Sequence, residues 1–137
     1  CDHAGRELTR TLVDELETRG IVVRAFGTDT DEPCDYPDFA HAVGRAIGDG
    51  EIERAILVCG TGVGMSIAAN RHAGVRAVVC SEPVSARLAR QHNDANILCV
   101  GARIVGTALA LEILDAFLTT PFAGQRHATR IGKIDPA

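Results

Sequence analysis

The sequence predicts an α/β fold, a doubly wound three-layer α/β/α sandwich on a parallel sheet, and three observations carry that expectation. Apolar, β-branched runs alternate with segments of helical period along the 137 residues. Each run gives way to a polar or glycine-rich loop. The run over 55–59, Ala-Ile-Leu-Val-Cys, is almost wholly apolar, which suits a strand buried on both faces. About five strands are expected. Four lie in the chain, and a short first strand is expected ahead of it, because the sequence opens directly on Cys1-Asp2-His3.

Residues 5–19 read as a helix with Leu8, Leu12, Val13 and Leu16 on one face, closed by Gly20. Residues 21–26 are β-branched and read as a strand ended by Gly27. A loop rich in Asp, Thr and Pro covers 28–37, and 38–48 form a helix on Phe39, Val43 and Ile47. After the strand at 55–59, Gly60-Thr61-Gly62-Val63-Gly64 turns the chain into a helix reaching about Arg71. Residues 75–80 read as a strand, 83–91 as a helix and 97–100 as a strand. A long helix follows over about 106–118 on Leu111, Leu114 and Leu118, and a short last helix begins near Gln125. The pattern is Rossmann-like. It makes one domain over 1–137, with the tail from about 119 to 137 expected to contact a partner subunit.

Composition narrows the functional classes. A formal net charge of −4 with 46% hydrophobic and 23% charged residues describes an ordinary globular protein and disfavours broad nucleic-acid or acidic-membrane binding. No apolar run approaches the roughly 20 residues needed to cross a bilayer. The five cysteines are an odd count without CxxC pairs, so free thiols and a cytoplasmic location are expected.

In a doubly wound sheet, ligands bind outside the carboxyl ends of the strands. Asp2, His3, Cys59, the glycine loop, Ser81 and Glu82 all follow strand-like runs and belong to that edge. The glycines let backbone approach a ligand, and N–H groups opening a helix favour an anion. The loop lacks the Lys of a Walker A motif, and Met65 stands where a dinucleotide fingerprint needs its third glycine. A dinucleotide site, with Glu82 as ribose-binding acid, stays as an alternative, and so does a tight turn with no ligand. Cys59 heads the loop, where a helix N-terminus activates a thiol as nucleophile or general base. Cys80 and Cys99 read as small buried hydrophobes. His92, in the polar run Arg90-Gln91-His92-Asn93-Asp94, is either solvated or a proton shuttle, and His3 beside Asp2 has the same two readings. His41 and His72 read as ordinary helix and loop residues. Arg126 and Arg130, one turn apart, can face one anion, with Arg103 a third cation. Cys1, His3, Cys59 and His92 lack standard metal spacing.

Together these residues resemble the type-B ribose-5-phosphate isomerase family, which also includes the subunits of galactose-6-phosphate isomerase. The carrying segments run in order from Cys1-Asp2-His3-Ala4-Gly5 through Asp35-Tyr36-Pro37, Cys59-Gly60-Thr61-Gly62-Val63-Gly64-Met65-Ser66, Arg90-Gln91-His92-Asn93-Asp94 and Gly101-Ala102-Arg103 to Arg126-His127 with Arg130. The resemblance implies an aldose–ketose isomerase working through a cis-enediolate. Cys59 is then the base at C2, and Thr61 assists at the sugar oxygens. Amides of Gly60, Thr61, Gly62, Val63, Gly64 and Met65 stabilise the enediolate, and His92 with Asp2 opens the furanose ring. His3, Arg103, Arg126 and Arg130 hold the phosphate, Asn93 a sugar hydroxyl, and Tyr36 lines the substrate site. Neither metal nor organic cofactor is implied. The family's cleft lies between subunits, so a homodimer or homotetramer is expected. One branch uses a Glu base; Cys59 and Gly64-Met65-Ser66 place this chain in the Cys branch. Ribose 5-phosphate is the expected substrate. Galactose-6-phosphate, allose-6-phosphate, a tetrose phosphate and a non-catalytic sugar-phosphate-binding subunit are the alternatives.

Overall fold

A computed structural model describes residues 1–135; the last two residues of the expected tail contact lie outside them. A 3-10 turn, His3–Gly5, leads into α1 (Arg6–Thr18), followed by α2 (Tyr36–Gly48), β1 (Ala55–Cys59), α3 (Val63–Ala69), β2 (Ala77–Val79), α4 (Pro83–Asn93), β3 (Ile97–Gly101), α5 (Thr107–Thr119) and α6 (Arg126–Ile131). The strands form one parallel sheet in the order β1-β3-β2, with Cys59 opposite Gly101 and Ala77 opposite Ile97.

Side-chain alternation along the strands divides the core between two faces. Val58, Leu98 and Val100 meet α1, α4 and α5 through Leu12, Ala86, Leu114 and Phe117. Leu57, Cys59, Ile97 and Cys99 meet α2 and α3 through Ala40, Val43, Met65 and Ala69. Each large side chain buried this way contributes about 1.5–3 kcal/mol of transfer free energy. The three expected layers are therefore present. Among the described residues no helix is long and apolar enough to cross a membrane.

Local signals account for the helix ends. Leu8, Leu12 and Leu16 fall four apart and are buried, and Gly20 closes α1 at φ +75°. Glu82 caps α4 by accepting from Val84 N–H at 2.6 Å and Ser85 N–H at 2.7 Å, with Pro83 opening the helix. Asp94 ends it in the left-handed conformation at φ 46°.

The sheet corrects one expectation. Three strands, not about five, form the ladder among the described residues, and residues 21–26 join none. A cleft of about 740 Å³, lined by Leu12, Leu16, Val23, Phe26, Ile56 and Val58 among others, lies where 21–26 face α1 and β1. β-Branched composition suits a strand, but only a paired neighbour makes one, and Val22 is 97% exposed. Cys1 and Asp2 bridge one end of the cleft: Asp2 N–H donates to Val58 O, and Thr28 N–H donates to Cys1 O, each at 3.3 Å. The core face of α5 also turns from its expected line. Ile113 and Phe117 are fully buried beside Leu114, while Leu111 and Leu118 lie at the margin.

Candidate active site

Where β1 ends, its last side chain is Cys59, 4% exposed, and the next five residues make the glycine loop. Gly62 N–H donates to Cys59 Sγ at 3.1 Å, which fixes the sulfur at the head of the loop. Gly62 adopts φ +79°, and a Cβ there would come within 3.0 Å of the Val100 backbone; only glycine meets both demands. Thr61 Oγ1 accepts from Val63 N–H at 3.3 Å, leaving its own O–H to donate elsewhere. Gly64 and Met65 lie in the first turn of α3, where N–H groups have no intrahelical acceptor. The Tyr36 ring rests directly on Gly64: a Cβ there would stand 2.5 Å from the ring. A thiol, a hydroxyl and free amides thus share one mouth, roofed by a phenol.

Three further residues reach this edge. Asp2 is buried, and its carboxylate accepts from Gly5 N–H at 3.1 Å, capping the 3-10 turn. His3 Nδ1 accepts from Cys34 N–H at 3.2 Å, which puts the neutral ring's proton on Nε2, facing away from that contact. The role of the Cys34 amide had no signal in the sequence, since a backbone donor leaves no residue preference. Arg103 leans over Gly60, its N–H donating to Gly60 O at 3.0 Å. Among the described residues six ion pairs form, and Arg103, Arg126 and Arg130 are in none of them, so all three can meet an outside anion.

His92, Asn93, Arg126 and Arg130 lie elsewhere. Helix α4 runs from the carboxyl end of β2 back to the amino end of β3, so its last turn sits at the amino edge of the sheet. Arg76, just before β2, confirms that placement: its Nε donates to Asp94 O at 2.9 Å and its Nη2 pairs with Asp94. Arg90, 4% exposed, holds Asp94 from the other side at 2.9 Å. α6 docks there through Ala123 N–H to Gln91 O at 2.9 Å and through His127, stacked on His92 with ring centroids 4.5 Å apart. Five strand residues, roughly 15 Å, separate this edge from the Cys59 edge. The candidate residues therefore fall into two groups on opposite edges of the sheet, and Asp2 does not meet His92 within one chain.

Other candidates resolve from the same geometry. Both Glu82 carboxylate oxygens accept from the first turn of α4, so this acid has a helix-capping role that accounts for it without the dinucleotide alternative. Cys1, His3, Cys59 and His92 are divided between the edges, and no metal-binding group of three forms among the described residues. Burial pushes the Cys80 thiol up to about 11, helped by Glu82, and pushes Cys99 higher still, so both are inert core thiols at neutral pH. His41 and His72 are not ordinary residues: His41 Nδ1 and His72 Nε2 share a hydrogen bond of 2.9 Å between α2 and the turn after α3.

A thiol at the head of an amide cradle, with the unpaired Arg103 beside it, is an arrangement that suits a sugar-phosphate isomerase. Comparison with known proteins agrees. A model of the ribose/galactose isomerase family matches residues 1–134. Ribose-5-phosphate isomerase B of Escherichia coli strain K12 is 52% identical over 134 residues, covering 98% of this chain and 90% of the relative. The crystal structure of a ribose 5-phosphate isomerase from Thermotoga maritima superposes with a TM-score of 0.94 at 51% identity, covering 98% of this chain and 92% of that one. That of ribose 5-phosphate isomerase B from Mycoplasma genitalium with bound ribulose-5-phosphate superposes with a TM-score of 0.93 at 39% identity, covering 97% and 89%. The chain belongs to the ribose/galactose isomerase family.

Proposed function

We propose that this protein interconverts ribose 5-phosphate and ribulose 5-phosphate, with Cys59 as the base. The observation that carries the reading is the Cys59 sulfur held by Gly62 N–H at the head of an amide-lined loop. Aldose–ketose exchange moves the C2 hydrogen to C1 and the O2 proton to O1. In the open-chain aldose Cys59 takes the C2 proton, and the electron pair passes through C2 and C1 onto the carbonyl oxygen. The Gly62 and Val63 amides are held by Cys59 Sγ and Thr61 Oγ1, so the first-turn amides of Gly64 and Met65 face the developing enediolate, and low-dielectric surroundings strengthen them. Thr61 O–H relays the proton between the two sugar oxygens, and Cys59 returns its proton to C1. Tyr36 covers the sugar. His3 Nε2–H and Arg103 grip the phosphate from the Cys59 edge.

The furanose must first open: a proton leaves O1–H, the C1–O4 bond breaks, and O4 gains a proton. His92 performs this transfer, with Asn93 holding a hydroxyl and Arg126 and Arg130 completing the phosphate grip. Because these four lie on the opposite edge, they act on the Cys59 of a second copy, where Asp2 meets His92. A two-fold axis across the free edge of β2 sets the amino edge of one chain beside the carboxyl edge of the other. Exposed apolar residues flank that strand, Val63 and Ile67 on α3 and Val84 and Leu88 on α4, and Val79 lies on it. Five free thiols support a reducing, cytoplasmic setting. Tested side by side, ribose 5-phosphate should give a higher kcat/KM than allose 6-phosphate, galactose 6-phosphate or a tetrose phosphate. A six- or four-carbon sugar that wins would move the assignment to that substrate, and no turnover of any would leave a binding subunit.

A further inference from the structure

His92 and His127 lie face to face, with planes 10° apart. Of the six residues of α6, His127 is the buried one, 9% exposed, while Arg126 and Arg130 beside it are open to solvent. Its burial comes from its seat against α4, at the end of the chain that Ala123 N–H ties to Gln91 O. Gln125, at φ 49°, turns the backbone into this seat. One ring nitrogen of each of His3, His41 and His72 is engaged in a hydrogen bond, whereas the ring nitrogens of His92 and His127 have none among the described residues. What holds the His92 ring is a flat neighbour against its face.

That is an unusual way to fix an imidazole, and it suits one task. A hydrogen bond to one ring nitrogen would set the orientation but occupy a site needed for proton transfer. A face contact sets the plane and leaves both nitrogens open. We propose that His127 is a positioning residue for His92, holding its ring in the plane required to carry the proton from O1 to O4 during ring opening. This role rests on the isomerase reading given above. The titratable and charged groups facing His127 are His92 on α4 and Arg126 and Arg130 on its own helix, and burial first, then these charges, lower its affinity for a proton. A neutral His127 adds no charge that would oppose a proton on His92.

Two variants test the role. His127→Ala removes the stack; His127→Phe keeps a flat ring that neither titrates nor accepts a hydrogen bond. With ribose 5-phosphate, kcat should fall about tenfold in the Ala variant, and the Phe variant should recover to within about threefold of the parent. A tetrose 4-phosphate cannot close a furanose, because its O4 carries the phosphate. The ratio of pentose to tetrose turnover should therefore fall in the Ala variant and hold in the Phe variant. Ring-current shifts of the His92 imidazole protons, read by NMR without substrate, should be lost in the Ala variant alone. Equal losses on both sugars, a Phe variant no better than Ala, or unmoved His92 resonances would each overturn the positioning role. A parent that turns over neither sugar overturns the isomerase reading itself, and the role with it.

Discussion

Cys59 is set apart from the other buried thiols by what reaches its sulfur. Cys80 and Cys99 sit among apolar side chains, and burial holds their protons on. Cys59 receives an N–H from a glycine whose left-handed backbone aims it there. If Cys59 abstracts the proton, Cys59→Ala should lower kcat by about 10²–10⁴, the usual worth of general base catalysis. Calorimetry should then show sugar-phosphate binding within a few fold of the parent, because the phosphate contacts remain; near-normal turnover would remove Cys59 as base. The position of Cys59 was legible from sequence, since it ends an apolar run and precedes three glycines in five residues. The Gly62 and Cys34 donors were not, because both are backbone groups.

Elements show where periodicity succeeds and where it stops. The leucines of α1 report their own face, and the uninterrupted apolar runs of β1 and β3 report burial on both sides. Residues 21–26 have the composition of a strand yet join no ladder, because pairing is a property of two segments. The edge on which a helix ends is not a local property either: His92 was readable as polar, but only the parallel order β1-β3-β2 puts it across the sheet from Cys59. The His41–His72 link between α2 and the turn after α3 was equally hidden. Burial, with smaller effects from His41 and Arg45, lowers the proton affinity of His72 below the ordinary histidine value. Its unfolded form therefore takes up a proton first, so the stability it supplies is complete above about pH 6.5 and drains away as pH falls below that value. His127 shifts in the same direction and adds to the trend. Urea midpoints should fall between about pH 7.5 and pH 5.5, and His72→Gln should flatten that fall; an unchanged slope would show that the pair carries none of it.

At the scale of the whole molecule, the proposed reading makes assembly a part of the chemistry, because the two residue groups lie on opposite edges of one chain. In the proposed two-fold pair each site joins the Cys59 edge of one chain to the His92 edge of the other. Cys59→Ala and His92→Ala variants should each be nearly inactive alone. Mixed in equal amounts and allowed to exchange subunits, they should regain about a quarter of parental activity, since half the pairs are hybrid and each hybrid holds one whole site. No recovery, with exchange verified by mass spectrometry, would place both halves within one chain. The roughly 15 Å between edges has a second result. A sugar phosphate in such a site touches two chains at once and acts as a reversible cross-link. Its concentration then enters the association equilibrium, so the metabolite that the protein consumes also gathers the subunits that consume it.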